Sequence, residues 1–128
     1  MEGTRRRDYR DLILWQRAMD LAAEIHQLAL KLPRHELLGL SSQARRAAVS
    51  IPSNIAEGAG RRTTREFVAF LHIARGSLSE LNTQLLLMQR IGYVTVDALE
   101  RSLGLSDEVG RLLNAVIRGL RRRQEAAV

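Results

Sequence analysis

Apolar residues recur along this chain at the spacing of α-helices. Leu14, Ala18, Leu21, Ile25, Leu28 and Leu32 step by alternating fours and threes, and Trp15, Met19, Ala22, His26 and Ala29 form a parallel stripe beside them. Two adjacent stripes make a wide apolar face. They predict a first helix from about Asp8 or Asp11 to Lys31, ended by Pro33. Residues 33–39, PRHELLG, form the connection, and Ser41 or Ser42 is placed to cap a second helix. Phe67, Leu71, Ala74, Leu78, Leu81, Leu85 and Met88 then run through three heptads, the cleanest seam in the chain. Thr64 is the expected cap of this third helix, and Gly92 stops it after about Ile91. Leu99, Leu103, Val109, Leu113, Val116, Ile117 and Leu120 supply the apolar face of a fourth helix beginning near Thr95, in which Gly104 permits a bend. Four amphipathic helices with short connections predict an all-α, up-down-up-down, left-handed four-helix bundle. It forms one domain over residues 1–128, with flexible ends at about 1–10 and 124–128.

Between the first and third helices lies a stretch of different character, Leu40 to Arg62: LSSQARRAAVSIPSNIAEGAGRR. Ala44, Ala47, Ala48, Ile51 and Ile55 fall on one helical stripe, and alanine there lets a neighbouring helix come close. Pro52 interrupts the pattern. It has no N–H for the carbonyl of Ala48 and crowds it, a cost of about 3 kcal/mol in a helix interior. The helix either kinks and continues or stops, with Asn54 capping a new helix and Glu57 at the capping-box position. A helix two that kinks near Pro52 and continues is favoured, because the stripe keeps its phase across the proline. Gly58 and Gly60 are expected to end the segment. Asn54 and Glu57 are expected to satisfy the disturbed backbone and to pair with Arg45, Arg46 or Arg61, in preference to forming a ligand site.

Composition narrows the picture. A hydrophobic fraction of 45% with only 4% aromatic residues calls for an aliphatic core. There is no cysteine, which excludes disulfides and thiolate metal sites. No apolar run approaches the roughly 18 residues of a membrane span, and the charged Met1–Arg10 stretch leads into no signal-peptide region. A cytoplasmic location is the default expectation. The net charge is +6, with arginine at nineteen of the twenty Lys and Arg positions. A GC-rich gene and a phosphate-binding surface both produce that bias, and guanidinium groups suit phosphate.

Candidate chemistry is sparse. None of His26, His35 or His72 follows a glutamate by three positions, so the Glu-x-x-His pairs of a di-iron bundle are missing. No phosphate loop, nucleophile elbow or HExxH is present. No metal or other cofactor is expected, and His26 reads as a hydrogen-bonded histidine at the core edge. Arg65 and His72, seven residues apart on one helix face, resemble the Arg-x(4–6)-His element of helical-bundle ribonucleases of the HEPN class. That resemblance implies a histidine acid or base with an arginine clamp, and it is the enzymatic alternative. The remaining signal is basic: Arg5, Arg6, Arg7 and Arg10; Arg45 and Arg46; Arg61, Arg62 and Arg65; Arg118, Arg121, Arg122 and Arg123. In an antiparallel bundle the 61–65 cluster marks one end and Arg45 and Arg46 lie nearer the other, and the N-terminal arm and the end of helix four also share an end. Without interleaved aromatics, such a surface grips phosphates and does not read bases. Arg45, Arg46, Arg61, Arg62, Arg65, Arg118, Arg121 and Arg122 are the nucleic-acid-binding candidates.

SQARRAAVSIPSNIAEGAGR resembles the signature of small four-helix-bundle proteins encoded in intervening sequences of bacterial 23S rRNA genes. It is also similar to the accessory variability protein of diversity-generating retroelements. The likeness extends through Asp11-Leu12, Trp15-Gln16, Ala18-Met19, Gly39-Leu40, Glu66-Phe67, Gly76-Ser77, Glu80-Leu81, Gln84-Leu85 and Gly92-Tyr93, covering roughly residues 8–120. Pro52, Asn54, Glu57, Gly58 and Gly60 are its structural signature. The resemblance implies a non-catalytic homo-oligomer, arranged as a pentamer, that contacts RNA, DNA or a nucleic-acid enzyme such as a reverse transcriptase. A purely structural oligomer is the remaining alternative.

Overall fold

Leu12 has an extended backbone and no polar side chain to cap a helix, so the chain does not become α-helical at the acidic residues before it. The computed structural model describes residues 8–127. Asp8 caps a single 3₁₀ turn, Tyr9–Asp11, by accepting from Arg10 N–H at 2.9 Å. Helix α1 then spans Ile13–Ala29, shorter at both ends than periodicity suggested. The other helices are α2, Leu40–Ala59; α3, Thr64–Ile91; and α4, Val96–Ala127. The last of these reaches through most of the stretch expected to fray. Among the described residues there is no strand, and no helix is long and apolar enough to cross a membrane.

The helix ends correct two expected caps. Neither Ser41 nor Ser42 starts α2. Gly39 precedes it, and the orphan N–H of Leu40 is taken by the Glu36 carboxylate at 3.0 Å. Helix α3 is capped by Thr63 rather than Thr64, with Glu66 N–H bonded to the threonine hydroxyl at 3.1 Å and that hydroxyl bonded to the Glu66 carboxylate at 3.0 Å. One residue earlier, the cap puts Glu66 at the capping-box position. Gly92 ends α3 in the left-handed region at φ 93°, which favours glycine there.

Each helix packs on two neighbours: α1 on α2, α2 on α3, α3 on α4, and α4 on α1. Cross-helix partners run in opposite order along each pair. Arg17 meets Glu108 while Glu24 meets Arg101, and Asn82 meets Ser106 while Arg75 meets Asn114. This order is consistent with the expected up-down-up-down arrangement. The core is aliphatic, with Leu21, Ile25, Ile51, Ile55, Leu71, Leu81, Leu85 and Leu113 fully enclosed. The α3 seam is buried from Leu71 to Met88, whereas Phe67 is only half-buried and Val68 lies inside. On α1 the second stripe divides. Ala22 and Ala29 are buried, while Met19 and His26 are exposed, the His26 ring bonding the Ala22 carbonyl at 2.9 Å.

Helix α4 reaches the core differently from its apolar pattern. Leu103 is only half-buried, and the inward positions one turn either side of it are Leu99, Ser102 and Ser106. Ser106 donates to the Asn82 side-chain carbonyl, tying α4 to α3. Ser102 is 0% exposed and its hydroxyl has no partner among the described residues. An unpaired buried hydroxyl costs about 1–3 kcal/mol, and alanine is the better helix former. Ser102→Ala is therefore expected to stabilise the fold by about 1 kcal/mol, whereas Ser106→Ala, which orphans Asn82, should destabilise it by about as much. Denaturant midpoints of the two variants check the opposite signs; equal signs would contradict the distinction.

At the α1–α2 connection, Glu36 holds three segments. Besides Leu40 N–H, it accepts from the Tyr93 hydroxyl at 2.8 Å, and His35 lies against the same phenol at 3.2 Å. The Leu40 N–H and then the Tyr93 hydroxyl hold its carboxyl below the usual 4.5. A depressed folded value contributes stability above the unfolded value, lost as pH falls through the folded one. Glu36→Gln should thus lower the melting temperature near neutrality, and the gap from the parent should close as pH falls below about 4. A pH series of melting curves shows whether it does.

Candidate functional site

Within the small, basic stretch 40–62, residues Leu40–Ala59 form one helix that runs through Pro52, so the chain continues past the proline instead of stopping. Asn54 does not cap a new helix. Its amide donates to the Ser50 carbonyl at 2.8 Å and hydroxyl at 3.0 Å, and that hydroxyl bonds Ser77 of α3 at 2.8 Å. Polar groups one turn from the proline are thereby satisfied, and α2 is pinned to α3.

Gly58 is also not a terminator. It is a buried residue inside α2, and only Gly60 stands at the cap. A Cβ at position 58 would sit 2.7 Å from Phe70 Cβ, 3.0 Å from Phe67 Cδ1 and 3.2 Å from the Phe67 carbonyl. The missing side chain is what lets α2 and α3 approach so closely.

Glu57 pairs with Arg61 at 2.8 Å on the surface. The Arg61 guanidinium also lies 4.9 Å from the Phe70 ring centroid, a cation–π contact. Asn54 and Glu57 therefore serve the backbone and a surface pair.

The predicted arginines divide between the two ends of the bundle. Arg45 folds back on the α1–α2 connection, donating to the carbonyls of Ser41 at 3.3 Å and Leu37 at 3.4 Å. Arg45 and Arg46 line a groove with His26 and Val49, on α1 and α2. The other clusters meet at the opposite end. Arg61, Arg62 and Arg123 border one cleft of about 710 Å³ whose apolar wall includes Leu12, Phe67, Val116 and Leu120. Arg62, Arg65, Arg118, Arg122 and Arg123 are exposed and enter no ion pair among the described residues. Arg5, Arg6 and Arg7 lie outside the described residues, and Arg10 bonds Asp8, whose carboxyl it pulls down to about 2.

His72 does not bond Arg65. Its ring lies between two other arginines: Arg75 Nη2 at 2.9 Å from Nδ1, and Arg121 Nη2 at 2.8 Å from Nε2. Arg75 also donates to the Asn114 side-chain Oδ1 at 3.0 Å. Partial burial, then Arg75, then Arg121, lower the His72 pKa from its ordinary 6.5 and favour the neutral imidazole. The pairing of His72 with Arg75, three residues apart on one helix, was visible in the sequence. The approach of Arg121 from α4 was not. Among the described residues, no three histidine or acidic side chains gather in a way that could hold a metal ion.

A family model described as 23S rRNA-intervening sequence protein matches residues 10–115. No curated protein matches the chain. Among solved structures, the crystal structure of a protein of unknown function from the S23 ribosomal protein family of Bacteroides thetaiotaomicron matches with a TM-score of 0.77 and 26% identity, over 82% of this chain and 98% of that one. The family match spans the proline-containing helix, the α3 seam and most of α4, and on that extent the chain belongs to the 23S rRNA-intervening sequence protein family.

Proposed function

We propose that this chain is a non-catalytic, oligomeric binding and assembly module that grips nucleic acid through its arginine-rich end. The observation that carries the reading is the meeting of Arg61, Arg62 and Arg123 around one cleft, with Arg65, Arg118 and Arg122 in no ion pair among the described residues. Unpaired guanidinium groups on a chain of net charge +6 are suited to phosphate oxygens. Arg45 and Arg46, at the other end, are outside this surface. The resemblance to the accessory variability protein adds a reverse transcriptase as a protein partner that such a module would hold on its template.

Assembly is supported by apolar side chains away from that end. Leu30, Leu37 and Leu38 on the α1–α2 connection are exposed, as are Leu86, Leu87, Ile91 and Val96 around the α3–α4 turn, and the Glu36–Tyr93 bond joins the two segments. Leu38 is 92% exposed. A patch of this kind usually marks an interface. Light scattering at micromolar concentration is expected to give about five times the 14.4 kDa chain mass; a 14.4 kDa species would remove the oligomer. Gel-shift assays at low salt should show RNA retained and uncut. Failure to retain duplex, single-stranded or structured RNA would leave a structural oligomer, and cleavage lost on His72→Ala would establish the ribonuclease in its place.

A further inference from the structure

The contacts of His72 cannot all be hydrogen bonds at once. A neutral imidazole carries one N–H and one acceptor nitrogen, and a guanidinium only donates. Yet both ring nitrogens face an arginine, at 2.9 and 2.8 Å. Arg75 is the better anchored of the two, because its other nitrogen donates to Asn114 on α4. With Arg75 donating to Nδ1, the ring proton sits on Nε2 and points at Arg121, donor against donor. Arg121 is exposed and pairs with no carboxylate among the described residues. Arg75, which enters no ion pair among the described residues, faces the ring from its own helix, and Arg121 faces it from α4.

We propose that His72, Arg121 and Arg75 form a phosphate site on the α3–α4 face, in which the exposed Arg121 side chain draws back from its 2.8 Å contact with the ring and one non-bridging oxygen of a nucleic-acid backbone phosphodiester bridges His72 Nε2 and the Arg121 guanidinium. That oxygen accepts from both donors and replaces their mutual repulsion with two charge-assisted contacts. Arg75 sets the tautomer that turns the Nε2 proton outward. Arg65, seven residues before His72, lies on the same face of α3 toward the end that carries the arginine-lined cleft, and Arg118 lies one turn before Arg121 on α4. The pocket deepens, and rests on, the binding-module reading.

The test uses the full chain with isotope-labelled histidine, titrated with a ten-nucleotide single-stranded RNA and separately with inorganic phosphate. Saturating RNA is expected to raise the apparent pKa of His72, since an oxyanion at Nε2 favours the imidazolium. Arg121→Gln should abolish that response, weaken RNA binding roughly tenfold, and reduce the salt slope by about 0.7. RNA that binds without moving His72, and equally well to Arg121→Gln, would overturn the pocket while leaving the interface at the cleft standing. Phosphate that moves His72 when RNA does not bind would overturn the backbone assignment in favour of a small anion. No RNA binding and no response of His72 to phosphate would overturn the pocket and the module together.

Discussion

Gly58→Ala is expected to destabilise the protein by about 2 kcal/mol or more, the cost of overpacking a filled interface. The added methyl would meet Phe70 Cβ at 2.7 Å and the Phe67 carbonyl at 3.2 Å. Neither atom can swing away, since one is fixed to the backbone and the other is part of it. Helices α2 and α3 must therefore separate, disturbing the Ser50–Ser77 bond further along the same contact. Alanine's better helix propensity, worth about 1 kcal/mol, acts in the opposite direction and is overcome. Gly76→Ala provides the contrast. Nothing lies within 4 Å of a Cβ there, so the same substitution in the middle of α3 should stabilise by about 0.5–1 kcal/mol. Melting curves at one fixed protein concentration should place the two variants on opposite sides of the parent, several degrees apart. A Gly58→Ala protein as stable as Gly76→Ala would show that close helix approach is not what keeps glycine at position 58.

The second large effect is on binding. Changing Arg62, Arg65 and Arg123 together to glutamine should weaken nucleic-acid binding about equally for all sequences, because phosphate contacts carry no base information. Each lost contact removes about 0.9 from the salt slope on duplex DNA and about 0.7 on a single strand. Three contacts account for roughly a twenty- to fortyfold change in affinity between 50 and 200 mM salt, and the variant should lose that much of the dependence. The fold should persist, as all three side chains are exposed and enter no ion pair among the described residues. Arg61 is left in place because it pairs with Glu57 and covers Phe70. In an assembly of several copies, long nucleic acids should bind far better than short ones, and the variant should narrow that gap too. An unchanged salt slope would mean that the arginine end is solvated surface rather than an interface.

Much of this architecture is written in local periodicity. The seam Leu71, Ala74, Leu78, Leu81, Leu85 and Met88 is buried as its spacing requires, and Gly92 terminates α3 in the left-handed conformation that glycine tolerates. Thr95 begins the last helix as expected, accepting from Ala98 N–H at 3.1 Å. Helix continuation through Pro52 follows from an apolar stripe that keeps its phase, since a continuous core face outweighs one missing backbone bond. These features depend on residues within a few positions of each other, and a one-dimensional pattern records them.

Other features depend on distances between residues far apart in the chain. Ser102 and Ser106 occupy inward turns of α4 because Leu99 and Val109 set the helix phase, and a search for apolar residues passes over them to Leu103. Gly58 reads as a helix end until Phe67 and Phe70 are brought against it. Antiparallel topology sorts the arginine clusters to bundle ends, but only packing sends Arg45 back to the carbonyls of Ser41 and Leu37 and gathers Arg61, Arg62 and Arg123 at one cleft. Arg65 looked like the partner of His72 from spacing along one helix, but Arg121 crosses from α4, 49 residues away, to face the ring instead. Helical phase is local, so the chain's own order specifies it. Which charges and cavities meet depends on how four phases lock together in space.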